Sequence, residues 1–396
     1  KLRFSLIHRP APYPLAPPMR LVAGGTAATQ WDDVMSQLAH WLVRHLNDPR
    51  LVLWIAEHGG QLHTQWIWQI EHRLDELARL EHDGKTSELE DIRAHAPNAI
   101  PGPLMRSLWR LLLSGRVKSP WREPDLYRWK SRLKREGLTA TLRLELRELL
   151  SPRVSMRKPF RWGEEPESTD EPTRLRQLVE WELVLAADHV HSALRDLADA
   201  QWQAALPALL DDMQLLLRDA LDLLRELGEA NERSDRSNWD LPSISPHWQN
   251  RGFRDWVSLI ELLRDAWLAV LSADSARAAR TAAAWFKLPY PTFKRLALFA
   301  ASQDGCIDPE EWVEWLVADG AWWLWAVDTR REVLRLLVLQ GSRLTPASRD
   351  RLESAIVAGP PRKMYRDDLD PDTWQDQVSR SVWLHLGITV TVYQIC

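Results

Sequence analysis

Apolar side chains recur at intervals of three and four residues along most of this chain, a spacing that is typical of amphipathic helices. Trp31, Val34, Leu38 and Trp41 form one early example. The same spacing predicts helices over 61–80, 101–114, 123–136, 138–150, 252–271, 275–287, 291–302, 308–318, 321–340, 346–358 and 371–386. The alternation of apolar and polar residues that indicates a strand is missing before the last ten residues. The pattern therefore predicts an all-α fold with no sheet before 387.

The most regular pattern lies in the middle of the chain, over 173–228. Within 206–227 apolar residues follow each other at alternating spacings of four and three, as in the seam of a coiled coil, and 179–197 has the same spacing. Pro207 lies where a second helix would begin, and proline is tolerated in a first turn. We therefore expect a long antiparallel helical hairpin that turns near 199–206.

Proline-rich and polar stretches mark the boundaries between helical regions, because proline fixes φ and blocks a helix. They divide the chain into a proline-rich extended lead-in, an N-terminal helical domain, a linker, the hairpin, a second linker, a C-terminal helical-repeat domain and an atypical tail: 1–30, 31–150, 151–172, 173–228, 229–251, 252–386 and 387–396. The short, closely joined helices of the C-terminal domain resemble an α-solenoid, without a fixed-period repeat. Thr345 before Pro346 predicts the start of one such helix, and Gly359 before Pro360 predicts its end.

Composition and charge narrow the class of protein. Hydrophobic residues make up 45% and charged residues 27%, the balance of a folded protein. The only cysteines are Cys306 and Cys396, which excludes a secreted disulfide framework and favours the reducing cytoplasm. No apolar run reaches the roughly 18 residues of a membrane span, so no membrane partner is expected. The chain begins without Met and its tail after Leu386 is rich in β-branched residues, so we expect a segment of a larger polypeptide.

One stretch carries an unusual charge although the whole chain has a net charge of only −4. Residues 106–161 hold 16 Lys and Arg against 5 Asp and Glu, with aromatic residues among them. Cations with interleaved aromatic rings suit phosphate contact and base stacking. They equally suit an acidic protein surface, or internal pairing with the acidic cluster at 164–171. Arg128, Arg132 and Arg135 share one side of a predicted helix, with Lys130 and Lys134 in the next row, so we expect one exposed, unpaired basic face.

Tryptophan is the second compositional anomaly, with 23 residues in the chain. Trp312 and Trp315 share a helix face, as do Trp322 and Trp325, and these rings are expected to pack between helices. Trp323 points away from its neighbours and is expected to be exposed. The predicted partner-binding residues are therefore Arg128, Trp129, Lys130, Arg132, Lys134, Arg135 and Trp323.

Two motifs imitate ligand-binding loops but lack a required position. Asp83-Gly84-Lys85-Thr86 resembles the end of a phosphate-binding loop, yet Arg79 occupies the position of its first glycine. Residues 304–311 resemble half of an EF-hand loop, yet Ala300 stands where the first oxygen ligand belongs. Turns between helices explain both stretches, the second with Asp308 as a helix cap. No catalytic residue, cofactor or metal is predicted.

Segments 289–300, 325–337 and 358–362, together with 97–101 and 108–112, carry a family resemblance. They resemble the helical C-terminal regions of large bacterial antiphage-defence proteins, in which a sirtuin-like NAD-cleaving domain or an NLR-like ATPase core precedes a helical sensor. The resemblance implies a non-catalytic, cytoplasmic sensor or scaffold that recognises a phage or host protein or restrains an effector domain. The alternative function is a nucleic-acid-binding helical module centred on 106–161.

Overall fold

A computed structural model describes residues 27–58, 60, 62–119, 126–159, 172–195, 199–250 and 254–395. These residues form 18 α-helices and one two-stranded sheet, which confirms the all-α class. In chain order the elements are α1 (Ala27–Leu42), α2 (Pro49–Glu57), α3 (Thr64–His82), α4 (Thr86–His95), α5 (Pro103–Leu113), α6 (Leu126–Glu136), α7 (Ala140–Leu149), β1 (Pro152–Arg157), α8 (Leu175–Leu178), β2 (Glu180–Leu185), α9 (Val190–Arg195), α10 (Ala200–Glu226), α11 (Ser237–Asp240), α12 (Ser258–Ala273), α13 (Ser275–Lys287), α14 (Pro291–Ala301), α15 (Pro309–Trp325), α16 (Arg330–Gln340), α17 (Pro346–Ala358) and α18 (Pro371–Ile395). Three short 3-10 turns lie at Asp255–Val257, Gly341–Arg343 and Arg362–Met364. The solenoid-like arrangement stays a prediction.

The chain divides into two compact units, each assembled from two stretches of sequence. The first comprises 1–125 and 151–188, and the second comprises 126–150 and 189–396. The chain therefore passes between the units at 125/126, 150/151 and 188/189. At 151, the predicted domain boundary, β1 returns to the first unit after α6 and α7 have joined the second. Within the described residues, no helix is both long enough and apolar enough to pass through a membrane.

In the first unit, buried tryptophans join the helices through both their rings and their N–H groups. The Nε1 atom of Trp66 donates to the Met35 carbonyl at 3.0 Å, and Nε1 of Trp109 donates to the Leu46 carbonyl at 2.7 Å. Each bond satisfies a polar atom that burial would otherwise leave without a partner. Trp66 and Trp109 therefore pack this core without an unsatisfied indole donor, whereas Nε1 of the buried Trp181 has no hydrogen-bond partner among the described residues.

The predicted hairpin over 173–228 is wrong, as is the expectation of no sheet before 387. Residues Glu180–Leu185 form β2, which pairs antiparallel with β1 from Pro152↔Leu185 to Arg157↔Glu180. Burial alternates along β2, so its apolar residues at every second position face the core. Among the described residues of 173–228, only α10 forms a long helix, and Pro207 lies inside it rather than in its first turn.

In the second unit, α10 packs against α12, α12 against α13, and α13 against α14. Every residue of α14 is buried. The Nε1 atom of Trp267 donates to the Ala278 carbonyl at 3.0 Å, and that of Trp285 donates to Oε1 of Gln214 at 2.7 Å. Six indole rings, counted over both units, are among the largest fully buried side chains of the described residues, which accounts for part of the tryptophan excess.

Several other boundaries differ from the sequence-based predictions. α1 begins at Ala27, inside the predicted lead-in, and the acidic cluster at 164–171 lies outside the described residues. The tail predicted to be strand-like continues α18 to Ile395. The predicted helix over 321–340 is interrupted after Trp325, because α16 begins only at Arg330.

The helix ends with local capping signals are confirmed. Thr345 accepts a hydrogen bond from the Ser348 amide at 3.2 Å, and Gly359 ends α17 with φ +77°. The predicted break before 321 is also present, because Asp319, Gly320 and Ala321 have φ values of 53°, 66° and 59°. Such left-handed backbone is strained at residues other than glycine, and it interrupts α15.

Candidate functional site

The predicted basic row lies on α6, but its cations have partners. Lys130 Nζ donates to the Ala193 carbonyl at 2.9 Å. Arg132 forms an ion pair with Glu145, with 2.6 Å between Nη1 and Oε2. Both contacts lie within the second unit and hold α6 against its neighbours α9 and α7.

The other cations of the row are also engaged. Lys134 Nζ lies 3.7 Å from Oδ2 of Asp199, and Arg135 Nη2 lies 3.3 Å from Oε1 of Glu136. Arg128 is exposed but is not free of contacts. The expectation of an unpaired basic face is therefore wrong, because Glu145, Asp199 and Glu136 pair with three cations of the row and a backbone carbonyl accepts a hydrogen bond from Lys130.

Neither of the two predicted aromatic contacts is available at the surface. Trp129 is fully buried, donates its Nε1 hydrogen to the Leu142 carbonyl at 2.8 Å and meets the Trp202 ring edge-on at 6.2 Å. Trp323 is only 6% exposed. Both side chains are parts of the core of the second unit.

The ring cluster around Trp323 is closed by cations rather than open to a ligand. The Arg233 guanidinium lies 4.3 Å from the centroid of Trp322, and Lys363 Nζ lies 5.5 Å from the same ring. Both cations also approach Asp319, the first left-handed residue of the α15 break. Cation–π contacts and ion pairs thus stabilise this break.

Lys294 is the most buried cation of this cluster, with 9% of its surface exposed. Its Nζ donates to the Phe286 carbonyl and lies 4.6 Å from the Phe286 ring and 5.4 Å from the Trp323 ring. Burial, and secondarily the nearby Arg233, lower the pKa of Lys294 to about 8. Because its amine is enclosed by protein contacts, we assign it to packing rather than to covalent chemistry.

A network of buried charges lies at the centre of the second unit. Arg295 is fully buried, and its guanidinium donates to Oε2 and Oε1 of Glu332 at 3.2 and 3.1 Å. It also donates to the Ser237 hydroxyl at 3.1 Å and to the Leu241 carbonyl at 2.7 Å. Oε1 of Glu332 accepts in addition from the Ile244 amide at 2.9 Å. The pair therefore anchors the irregular chain that precedes α12.

Residues 229–250, called here the anchored segment, correspond to most of the second predicted linker. The segment packs against α14, because Asp235 is fully buried and accepts hydrogen bonds from the Thr292 amide and hydroxyl at 2.6 and 2.7 Å. Asn250 is also buried and bonds the backbone of Ser243 and Ser245. Asp235 and Asn250 thus face inward and fix the conformation of the segment, although other polar residues of it, such as Asn231 and Gln249, are exposed.

Two tryptophans of the anchored segment nevertheless face solvent. Trp239, on α11, is 77% exposed and Trp248 is 68% exposed. Exposed tryptophan is uncommon on a surface without a partner, and it is the residue type most enriched among the energetic centres of protein interfaces. A large apolar ring on a rigid backbone is the arrangement that a partner can bind at low entropic cost.

A polar cleft of about 260 Å³ opens between α9 and α12 of the second unit. Its ionisable lining residues are His191, His247, Glu261, Arg264 and Asp265. Oε2 of Glu261 lies 3.5 Å from Nδ1 of His191, whereas Oε1 lies 4.0 Å from Nη1 of Arg264. Arg264 is instead bound to Asp265 and to the Ile244 carbonyl, at 2.8 and 2.9 Å.

The loop motifs form ordinary turns between helices, as expected. Asp83 is the C-cap of α3, and Asp308 caps α15 by accepting from the Glu310 amide at 2.8 Å. Cys306 is buried, and burial raises the pKa of its thiol to about 11, which disfavours a nucleophilic thiolate. In the part of the chain that the structure describes, no group of His, Cys, Asp or Glu side chains is arranged to hold a metal.

The candidate binding features are therefore the exposed tryptophans of the anchored segment and the polar cleft, rather than α6. Sequence reasoning did not single out Trp239, Trp248 or Glu261, because each is isolated in a polar context with no motif around it. The exposure of Trp239 could have been suspected, since the neighbouring polar residues give it no apolar helix face. No protein family, curated protein or solved structure matches this chain.

Proposed function

We propose that this chain is a non-catalytic helical recognition or scaffold module that binds a protein partner through the anchored segment. The observation that carries the proposal is the exposure of Trp239 and Trp248 on backbone that is held by the buried Arg295–Glu332 pair. Rigid aromatic side chains contribute large contact areas to an interface, and little conformational entropy is lost when they bind.

The family resemblance gives this module a biological context. As the sensor or scaffold region of a bacterial antiphage-defence protein in the cytoplasm, it would recognise a phage or host protein or restrain an effector domain. The alternative, nucleic-acid binding through 106–161, has less support, because Lys130, Arg132 and Lys134 are engaged by protein groups. Phosphate contact would require those cations to leave their present partners.

The experiment compares two double variants of the full chain. Trp239→Ala with Trp248→Ala removes both exposed rings of the anchored segment, whereas Trp41→Ala with Trp68→Ala removes two exposed rings of the first unit as a control. Each immobilised protein captures partners from bacterial cells with and without phage, and binding is then measured with the purified partner.

We expect the anchored-segment variant to lose its partner, with affinity reduced about 100-fold or more, since the central rings of an interface each contribute about 2 kcal/mol. The first-unit control should retain the partner, and both variants should melt near the wild-type temperature. Equal capture by all three proteins would contradict the proposal. Binding of short DNA or RNA that weakens steeply with salt would favour the alternative instead.

A further inference from the structure

The cleft between α9 and α12 contains polar groups that the folded protein leaves incompletely satisfied. Glu261 has no closer cationic neighbours, among the described residues, than His191 at 3.5 Å and Arg264 at 4.0 Å. Both distances exceed those of a strong charge-assisted hydrogen bond. The Glu261 carboxylate therefore keeps acceptor capacity on a half-buried wall of the cleft.

A second, independent observation comes from Ser258, one turn before Glu261 on α12. Ser258 lines the cleft and is only 3% exposed, and its hydroxyl finds no hydrogen-bond partner in the described part of the chain. A buried hydroxyl without a partner costs about 1–3 kcal/mol, so its presence in a cleft wall requires an explanation. A bound ligand group would supply the missing partner.

The charges of the cleft indicate which kind of ligand fits. Two carboxylates and one guanidinium line it, and that guanidinium, Arg264, is already bound to Asp265. Desolvation, and secondarily Arg331, lower the pKa of His247, which disfavours a positive charge on this imidazole. The unsatisfied groups are thus mainly acceptors with negative charge, and they are complementary to a positively charged donor.

We propose that the cleft binds a small organic cation, through an ammonium or guanidinium group that pairs with Glu261 and donates a hydrogen bond to the Ser258 hydroxyl. A cleft of about 260 Å³ holds a molecule of metabolite size rather than a folded partner. This proposal does not rest on the partner surface proposed at Trp239 and Trp248, although His247 and Asn250 of the anchored segment also line the cleft.

The test measures binding of agmatine, which carries both cationic groups, to the full chain by ligand-observed NMR. Four proteins are compared: wild type, Glu261→Gln, Ser258→Ala and the control Glu353→Gln. The control removes an equal charge from α17, away from the lining residues of the cleft. Butylamine and 1-butanol, which match in size and differ in charge, provide a second comparison.

We expect Glu261→Gln to weaken agmatine binding about 10-fold or more and Ser258→Ala about 3-fold or more, as expected for the loss of a charged and a neutral hydrogen bond. Glu353→Gln should bind like wild type, and butylamine should bind where 1-butanol does not. Ser258→Ala keeps the test decisive if Glu261→Gln fails to fold, because it removes only an unsatisfied atom. Equal agmatine binding by all four proteins would show general attraction to an acidic chain and overturn the proposal, as would an absence of saturable binding to wild type.

Discussion

The buried Arg295–Glu332 pair is predicted to be the largest single electrostatic contribution to the stability of the second unit. Arg295→Met removes the guanidinium, so the buried Glu332 carboxylate loses the cation that lies 3.1–3.2 Å away. The substitution also removes the donors to the Ser237 hydroxyl and the Leu241 carbonyl. Breaking a buried ion pair by removing one partner costs about 3–5 kcal/mol, because the remaining charge stays buried.

That cost can be measured as a shift in melting temperature. For a unit of this size each kcal/mol corresponds to about 2–4 °C, so Arg295→Met should lower the melting temperature by roughly 6–20 °C. Calorimetry resolves the transition of the second unit, and hydrogen exchange follows the Ile244 amide, which is bound to Glu332. We expect this amide to lose protection together with the rest of the anchored segment.

Two comparisons isolate the buried pair from general effects of the substitution. Arg351 pairs with Glu314 at the surface, so Arg351→Met should cost less than about 1 kcal/mol. The double variant Arg295→Met with Glu332→Gln should be more stable than the sum of the single effects predicts, because it leaves neither charge unpaired. A melting temperature for Arg295→Met no lower than that of Arg351→Met, or strict additivity in the double variant, would refute the reasoning.

Two further substitutions should stabilise the protein. Ala321 has φ +59°, so Ala321→Gly should raise the free energy of unfolding by about 1 kcal/mol, whereas Ala284→Gly within α13 should lower it by a similar amount in the same denaturant titration. Burial, and secondarily the nearby Asp235, raise the pKa of Asp328 to about 6, so its charged form destabilises the folded protein above that pH. Asp328→Asn should therefore raise the free energy of unfolding by about 1 kcal/mol at pH 8. This gain in stability should disappear as the pH falls through about 6 towards the pKa of Asp328 in the unfolded state. A gain that stays constant at all pH values would exclude the titration of Asp328 as its cause.

Local signals were sufficient for many of the helices after residue 270. The predicted bounds of α13 and α17 match the structure, and those of α14 differ by one residue. Thr345 and Gly359 explain this success at α17, because a cap acts through hydrogen bonds and backbone conformation within a few residues. Such ends do not depend on the remainder of the fold.

The sheet could not be predicted, because its strands are stabilised by each other. Residues 179–197 satisfy a helical spacing of three and four, but 181, 183 and 185 also satisfy the alternation of a strand. The choice between them depends on β1, which lies more than twenty residues earlier and supplies the hydrogen-bonding partners of β2. A short apolar run without its partner strand does not settle its own secondary structure.

The basic row and Trp323 were expected to be available to a partner, and the structure differs from that expectation for a related reason. The charge count for 106–161 considered carboxylates within that stretch alone. In the structure, Lys134 and Arg143 pair with Asp199 and Asp212, which lie outside it. The expectation for Trp323 assumed that one side of α15 faces solvent. In the structure Lys294 lies over the Trp323 ring, and the Trp325 ring lies 4.4 Å from that of His385 of α18, so both indole rings are covered.

The anchored segment shows most clearly how a polar composition can mislead. Its Asp, Ser and Asn residues are typical of a linker when read alone, since such residues usually face water. Here the Ser237 hydroxyl, the Leu241 carbonyl and the Ile244 amide bind the buried Arg295 and Glu332, which lie in predicted helices far along the chain. Asp235 binds Thr292 of α14 instead. In the proposed partner complex, a flexible linker would lose about 0.5–1.5 kcal/mol for each side chain ordered on binding. The buried network would reduce that loss at Trp239 and Trp248, because it fixes the backbone that carries them.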